Sequence, residues 1–252
     1  MIRSVVVAFA VFVMLSSVTA WAAPVVFESS GAEPADIQAS VDAFRAFLGP
    51  LNPNVAGSFP SGRREINWDG VPDAFSAPNN LPANFFNANS PRGAVFFTPG
   101  SGFQVSADSS NPTNTPILFG NLHPVFSQLF SVFSPQRLFT ALDSTIVETF
   151  FFVPGSAAGA TVNGFGAVFT DVNDAHSTKI EFLDAAGRVL LTRNVLPGTT
   201  PRGSLSFLGV GFDAGERVFA VRITSGNRSL RVPSRDVVVM DDFIYGEPQP
   251  AS

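Results

Sequence analysis

The sequence predicts an all-β protein, an antiparallel β-sandwich that carries one short N-terminal helix. Three observations predict it. From residue 93 onward, short apolar stretches alternate with turn signals rich in Gly, Pro, Asn and Asp, the pattern of many strands joined by tight connections. Only Glu33 to Leu48 shows helical periodicity. The chain holds 27 Phe against one Tyr, a bias that fills a thick apolar interior and leaves few aromatic platforms with a wet polar edge.

In chain order, residues 1–22 read as a signal peptide. Arg3 supplies the positive n-region, Val5–Leu15 an apolar h-region too short to span a bilayer, and Ala20-Trp21-Ala22 the cleavage site. The expectation is a bacterial protein exported and then released or held non-covalently at the surface, because no apolar tail follows Glu247. Residues 23–252 then form a single domain, with no repeat at fixed period. Pro24 to Glu28 predicts the first strand. In the helix, Pro34 suits the first turn and Asp36 the positive end of the dipole. Ile37, Val41, Phe44 and Leu48 share one face, and Gly49-Pro50 ends it. Residues 49–92, rich in Pro, Gly, Asn and Ser, predict an irregular, loop-rich segment with short strands at Arg64–Trp68 and Asn84–Asn87.

Strands are then expected at Ala94–Phe97, Phe103–Ser106, Ile117–Phe119, Leu138–Ala141, Thr145–Val153 and Val162–Thr170. Further strands follow at Lys179–Leu183, Arg188–Arg193, Leu205–Phe212, Arg217–Thr224 and Asp236–Tyr245. Asp184-Ala-Ala-Gly187 joins two of them as a tight hairpin, with Gly187 accepting positive φ. Gly164-Phe-Gly166 lies inside a strand, which marks a bulge or close packing.

Composition excludes several chemistries. There is no Cys, so thiol catalysis, zinc-thiolate sites and iron–sulfur clusters are out, and no disulfide supports the fold. Residues 1–22 contain one charged side chain, Arg3, so its loss moves the formal charge from −5 to −6. An acidic chain with Lys179 as its one lysine is a poor partner for nucleic acid or an anionic membrane. No Ser sits in a G-x-S-x-G elbow, and no Gly-rich phosphate loop follows a strand.

Two places carry candidate site residues. In the closing run Asp236 to Gly246, a regular strand sends Asp241 and Asp242 to opposite faces, so at least one carboxylate points among Val, Met, Phe and Ile. An inward carboxylate requires an arginine partner or a cation, which makes a structural ion site one expectation here. In the run Glu65 to Asp73, a strand puts Glu65, Asn67 and Asp69 on one face and Ile66 and Trp68 on the other. That polar row beside Trp68 is a candidate polyol site, and Glu65 with Asp69 a candidate carboxylate pair for glycoside hydrolysis; the plain alternative is a strand with a buried apolar face. Asp171-Val-Asn173-Asp174 and Asp108 to Asn114 read as polar turns: the former lacks the Gly and Glu of an EF-hand. His123 and His176 stand alone.

The run Gly164-Phe-Gly-Ala-Val-Phe-Thr-Asp171, the strand Lys179–Leu183, the hairpin Asp184–Gly187 and Leu205-Ser-Phe-Leu-Gly209 resemble the β-sandwich ectodomains of uncharacterised secreted bacterial proteins, including those with PEP-CTERM-type sorting tails. The ending Asp241-Asp242-Phe-Ile-Tyr-Gly is similar to the last strand of jelly-roll carbohydrate-binding modules. The resemblance covers about residues 145–246, with an echo at Phe27-Glu28. It implies a jelly-roll-like sandwich with a structural calcium tying Glu28 of the first strand to Asp241, beside Asp242, of the last. It also implies a non-catalytic binding protein for polysaccharide or extracellular matrix. A glycoside hydrolase or polysaccharide lyase on the same scaffold, and a structural envelope or matrix protein, are the alternatives.

Overall fold

The computed structural model describes residues 23–230 and 236–251; the expected signal peptide, residues 1–22, lies outside them. The elements are β1 (Val25–Gly31), α1 (Pro34–Leu48), β2 (Arg63–Ile66), α2 (Phe85–Ala88), β3 (Ala94–Phe97), β4 (Gly102–Val105), β5 (Phe139–Leu142) and β6 (Ile146–Phe151). They continue as β7 (Ala160–Thr161), β8 (Gly164–Thr170), β9 (Lys179–Leu183), β10 (Val189–Asn194), β11 (Leu205–Gly211), β12 (Ala220–Thr224), β13 (Val239–Gly246) and β14 (Gln249–Pro250).

Two antiparallel sheets pack face to face. The large one runs β1-β11-β8-β13-β5-β4, with β2 also paired to β13, and the small one runs β10-β9-β12-β6-β3. The chain changes sheet between β8 and β9, and at each step from β10 to β13, the crossing habit of a jelly-roll-like sandwich. Phe165, Phe169, Phe182, Val221, Ile223 and Phe243 help fill the space between the sheets. The predicted hairpin closes β9 onto β10. Asp184 Oδ1 accepts from Ala186 N and Arg188 N, both at 2.9 Å, and Gly187 takes φ 75°.

The predicted helix face is the observed one. Ile37, Val41, Phe44 and Leu48 are buried against Val168, Leu205, Phe207 and Ile244 on the outer face of the large sheet. At its N-terminus the Glu33 N–H donates to Asp36 Oδ2 at 3.0 Å, half of a reciprocal capping box. The helix needs a flat seat, and Gly166 of β8, paired with Gly209 of β11, provides it. A Cβ on either glycine would lie within 2.9 Å of the Phe44 ring, so Gly164-Phe-Gly166 marks close packing. With helix on one side and core on the other, β8, β11 and β13 are buried at every position. In the small sheet β6 and β9 alternate buried and half-buried residues, as a sheet facing water on one side does.

Two expected strands are absent. Residues 85–87 fall in α2, with Asn84 at its N-cap, because Phe85 and Phe86 are both buried and consecutive strand residues would face opposite ways. Residues 117–119 form a turn with φ 51° at Leu118 and 65° at Phe119, which swings Phe119 into a separate cluster with Phe126, Phe130, Leu138 and Val237. The irregular segment after α1 is organised by Arg64, which is 0% exposed. Its guanidinium donates to the carbonyls of Pro53, Gly57 and Pro91 and pairs with Glu247, which in turn accepts from Phe59 N and Asn52 Nδ2.

Candidate functional site

The closing strand departs from regular alternation where its two aspartates fall. Met240 pairs with Phe169 and Phe243 with Ala167, so Asp241 and Asp242 together face the single residue Val168. This is a β-bulge, which re-aims side chains. Both carboxylates consequently reach the same hydroxyl. Ser134 Oγ lies 2.7 Å from Asp242 Oδ1 and 3.2 Å from Asp241 Oδ1. The expectation that these aspartates point opposite ways is corrected by the bulge.

Asp241 is fully buried and Asp242 nearly so. Burial first, and then the neighbouring Asp242 charge, push the Asp241 carboxyl well above the usual range. Burial lifts Asp242 to about 6, against hydrogen bonds from Ser134 and Asp241 and the Arg45 charge 3.6 Å from its Oδ2. Each carboxyl therefore holds its proton more tightly than an exposed one, as carboxylates forced together do. Asp241 Oδ2 also accepts from Phe133 N at 2.7 Å and Ser134 N at 3.3 Å. The two aspartates thus hold the backbone of residues 133–134.

Asp69 holds the other end of the same loop. Its Oδ1 accepts from the Gln136 and Arg137 N–H groups, and its carboxyl is raised by burial against those bonds. Strand β2 ends at Ile66, and Trp68 adopts φ 66°, so Asp69 leaves the row shared by Glu65 and Asn67. Arg137 continues the clamp through Asp73 and Asp108, both at 2.6 Å. Trp68 is 1% exposed. Its ring stacks on Phe139 at a centroid distance of 4.1 Å, and its Nε1–H donates to the Asp241 carbonyl at 2.8 Å. The expected ligand-facing tryptophan is a core residue that supports the bulge from beneath.

Glu65 is doubly engaged. Arg45 of α1 grips it in bidentate fashion at 3.0 and 2.9 Å, and Arg63 Nε donates to its Oε1 at 2.6 Å. Glu65 and Asp69 therefore do not form an acid and base facing a common substrate. What these contacts build is a groove of about 440 Å³ between α1 and the clamped loop. Gln38 and Arg45 come from the helix, Leu51 and Asn54 from the segment after it, and Glu65 and Asn67 from β2 and its end. Arg92 lies in the same groove, and Phe133, Ser134, Pro135 and Asp242 form the opposite wall. Of the expected site residues, Glu65, Asn67 and Asp242 line it; Trp68, Asp69 and Asp241 shape it from behind.

Glu28 lies elsewhere. Along β1-β11-β8-β13 it is three strand spacings from Asp241, about 14 Å. Its carboxylate pairs with Arg193 of β10, which ties the edges of the two sheets. The fit to calcium fails on the donors as well. Phe133 N, Ser134 N and Ser134 Oγ approach the Asp241 and Asp242 oxygens, where a cation would need six to eight oxygen ligands. Among the described residues no group of three or more His, Asp or Glu side chains is placed to hold a metal ion. His123 Nδ1 accepts from Val125 N and His176 Nδ1 meets Asn194, both outside the groove. Asp108 and Asp171 also hold backbone, Asp108 locally through Ser110 N and Asp171 across the sequence through Gly203 N.

Sequence reasoning missed Arg45, Gln38, Asn54, Arg92 and Ser134. Arg45 carried a signal: it follows Phe44 on the flank of the helix stripe, where a long polar side chain can reach a neighbouring strand.

No family model matches the chain, and no curated protein is similar to it. Among solved structures, the lectin domain of lectinolysin, complexed with Lewis B antigen, aligns with 60% of this chain and 92% of its own. The identity is 8% and the TM-score 0.24, a likeness that assigns no ligand to this chain. Among the described residues no helix is long and apolar enough to cross a membrane.

Proposed function

We propose that this is an exported, non-catalytic binding protein whose groove beside α1 takes a polysaccharide chain. The observation that carries the reading is the groove's lining. The amide side chains of Gln38, Asn54 and Asn67 stand around the Arg45–Glu65 pair, with Leu51, 55% exposed, Phe133 and Pro135 on the flanks. Amides and a charged pair offer hydrogen bonds of both senses to hydroxyl groups, and the apolar flanks suit the C–H faces of a sugar ring. The loop wall is fixed in advance by Asp69, Asp241 and Asp242, so little ordering opposes binding.

Titration of the wild-type protein and an Asn54→Ala/Asn67→Ala double variant against a panel of soluble plant, algal and bacterial polysaccharides tests the proposal. A glycan that binds the wild type and loses at least tenfold in affinity in the variant, at unchanged Tm, supports it. Binding that ignores both substitutions, or no binding across the panel, overturns it. Release of reducing sugar or unsaturated product during the titration would establish an enzyme instead.

A further inference from the structure

We infer that the groove is built for an acidic glycan and that Arg92 receives its carboxylate; this rests on the polysaccharide reading and names the ligand's class. The groove's two arginines differ in their partners. Arg45 is met by Glu65 at 2.9 Å, Asp242 at 3.6 Å and Asp42 at 3.4 Å. Arg92 has no carboxylate within ion-pair distance among the described residues. Its Nη1 contacts the neutral hydroxyl of Ser90, its guanidinium lies over the Phe86 ring at 5.1 Å, and its Nε–H is buried without an acceptor.

The arrangement is costly as it stands. Arg92 is half-buried, and its burial and the nearby Arg64 charge both weaken its hold on a proton. Among the described residues, carboxylates pair with Arg45, Arg63, Arg64, Arg137, Arg188, Arg193 and Arg222, but none pairs with Arg92, the second arginine of the groove; Arg217, likewise without a carboxylate, donates to Thr161 instead. A half-buried guanidinium that lines a groove and has no carboxylate partner is stabilised by an incoming anion on its groove side. The charge of that anion is bounded too, since Glu65 and Asp242 line the same groove and would repel a doubly charged phosphate. A singly charged carboxylate matches the planar fork of an arginine. Hydroxyls on the same sugar are left for Asn54, Asn67 and Gln38. Together these describe a uronic acid residue within a polysaccharide.

The test compares oligogalacturonate, alginate and glucuronate oligosaccharides, each against its carboxyl-reduced form, by calorimetry on the wild type, Arg92→Gln and Arg92→Lys. The expected result is one acid that binds the wild type at least tenfold tighter than its reduced form. Arg92→Gln should remove that difference, and Arg92→Lys should keep part of it. Equal affinity for every acid and its reduced form overturns the inference, and if both still depend on Asn54 and Asn67 the polysaccharide reading stands. No binding of acidic or neutral glycans overturns both. A tighter acid whose preference survives Arg92→Gln, at wild-type Tm, also overturns the role of Arg92. Should Arg92→Gln fail to fold, the wild-type comparison of acid with reduced form decides by itself.

Discussion

Individual aspartates in this protein act mainly as acceptors for backbone N–H groups. Asp69 and Asp241 hold residues 133–137, and Asp236 holds Asn173 and Asp174. At Asp69, Asp171, Asp241 and Asp242 burial penalises the charge more than the hydrogen bonds favour it, and the carboxyl pKa rises. Asp242 and Asp171 both sit at about 6, against 3.8 in an exposed carboxyl. The folded protein therefore binds these protons more tightly than the unfolded chain. Their contribution is fully present below about pH 4 and is lost as pH rises through 6, on the order of 2–3 kcal/mol for each group. Melting temperature should fall between pH 4.5 and 7, and Asp242→Asn should flatten that fall. A Tm that stays level or climbs over that interval would show that the two carboxyls are not raised.

Trp68 makes a second prediction at this scale. Trp68→Ala should destabilise the protein by about 3–5 kcal/mol, as for a large buried aromatic, measurable by urea denaturation. A loss below about 1 kcal/mol would return Trp68 to the surface and to ligand binding. EDTA should leave Tm unchanged, since N–H and O–H donors already serve the two aspartates. A drop of several degrees with EDTA, reversed by calcium, would reinstate a cation at the last strand.

At the scale of elements, the helix and the hairpin were legible because their signals are local. Ile37, Val41, Phe44 and Leu48 repeat with the helical period, and Asp184 and Gly187 stand where a turn needs them. The short helix at Phe85–Ala88 and the turn at Leu118–Phe119 were not legible. Their Phe-rich residues look like strand residues, and a neighbouring core decides how they point. The bulge at Asp241–Asp242 belongs to the same class, since one extra residue is counted only against a partner strand. The seat of α1 gives the prediction here. Gly209→Ala should push a Cβ into the Phe44 ring and cost about 1–3 kcal/mol. Adding Phe44→Leu should recover part of that loss. If the double variant is less stable than the sum of the two single changes, the helix does not rest on this glycine pair.

Across the whole molecule, the Arg64–Glu247 pair fastens the irregular segment after α1 to the end of β13. Both side chains are at most 1% exposed, and Arg64 Nε lies 2.6 Å from Glu247 Oε2. Arg64→Ala would leave a buried carboxylate and three carbonyls without their partner, at a cost of about 3–5 kcal/mol. Limited proteolysis should then cut first within residues 49–62. Unchanged stability and an intact segment would mean that the Phe and Pro residues there hold it without the ion pair. The all-β class, the N-terminal helix and most strand positions follow from the sequence alone, because periodicity and turn chemistry act between residues a few positions apart. Glu65, Asn67 and Asp242 were also legible as polar residues in apolar surroundings. Only the tertiary structure decided that Trp68 is core, that Glu28 and Asp241 lie strands apart, and that Arg92 faces the groove without a carboxylate. Those outcomes depend on strand order and on one inserted residue, and neither leaves a mark on local sequence pattern.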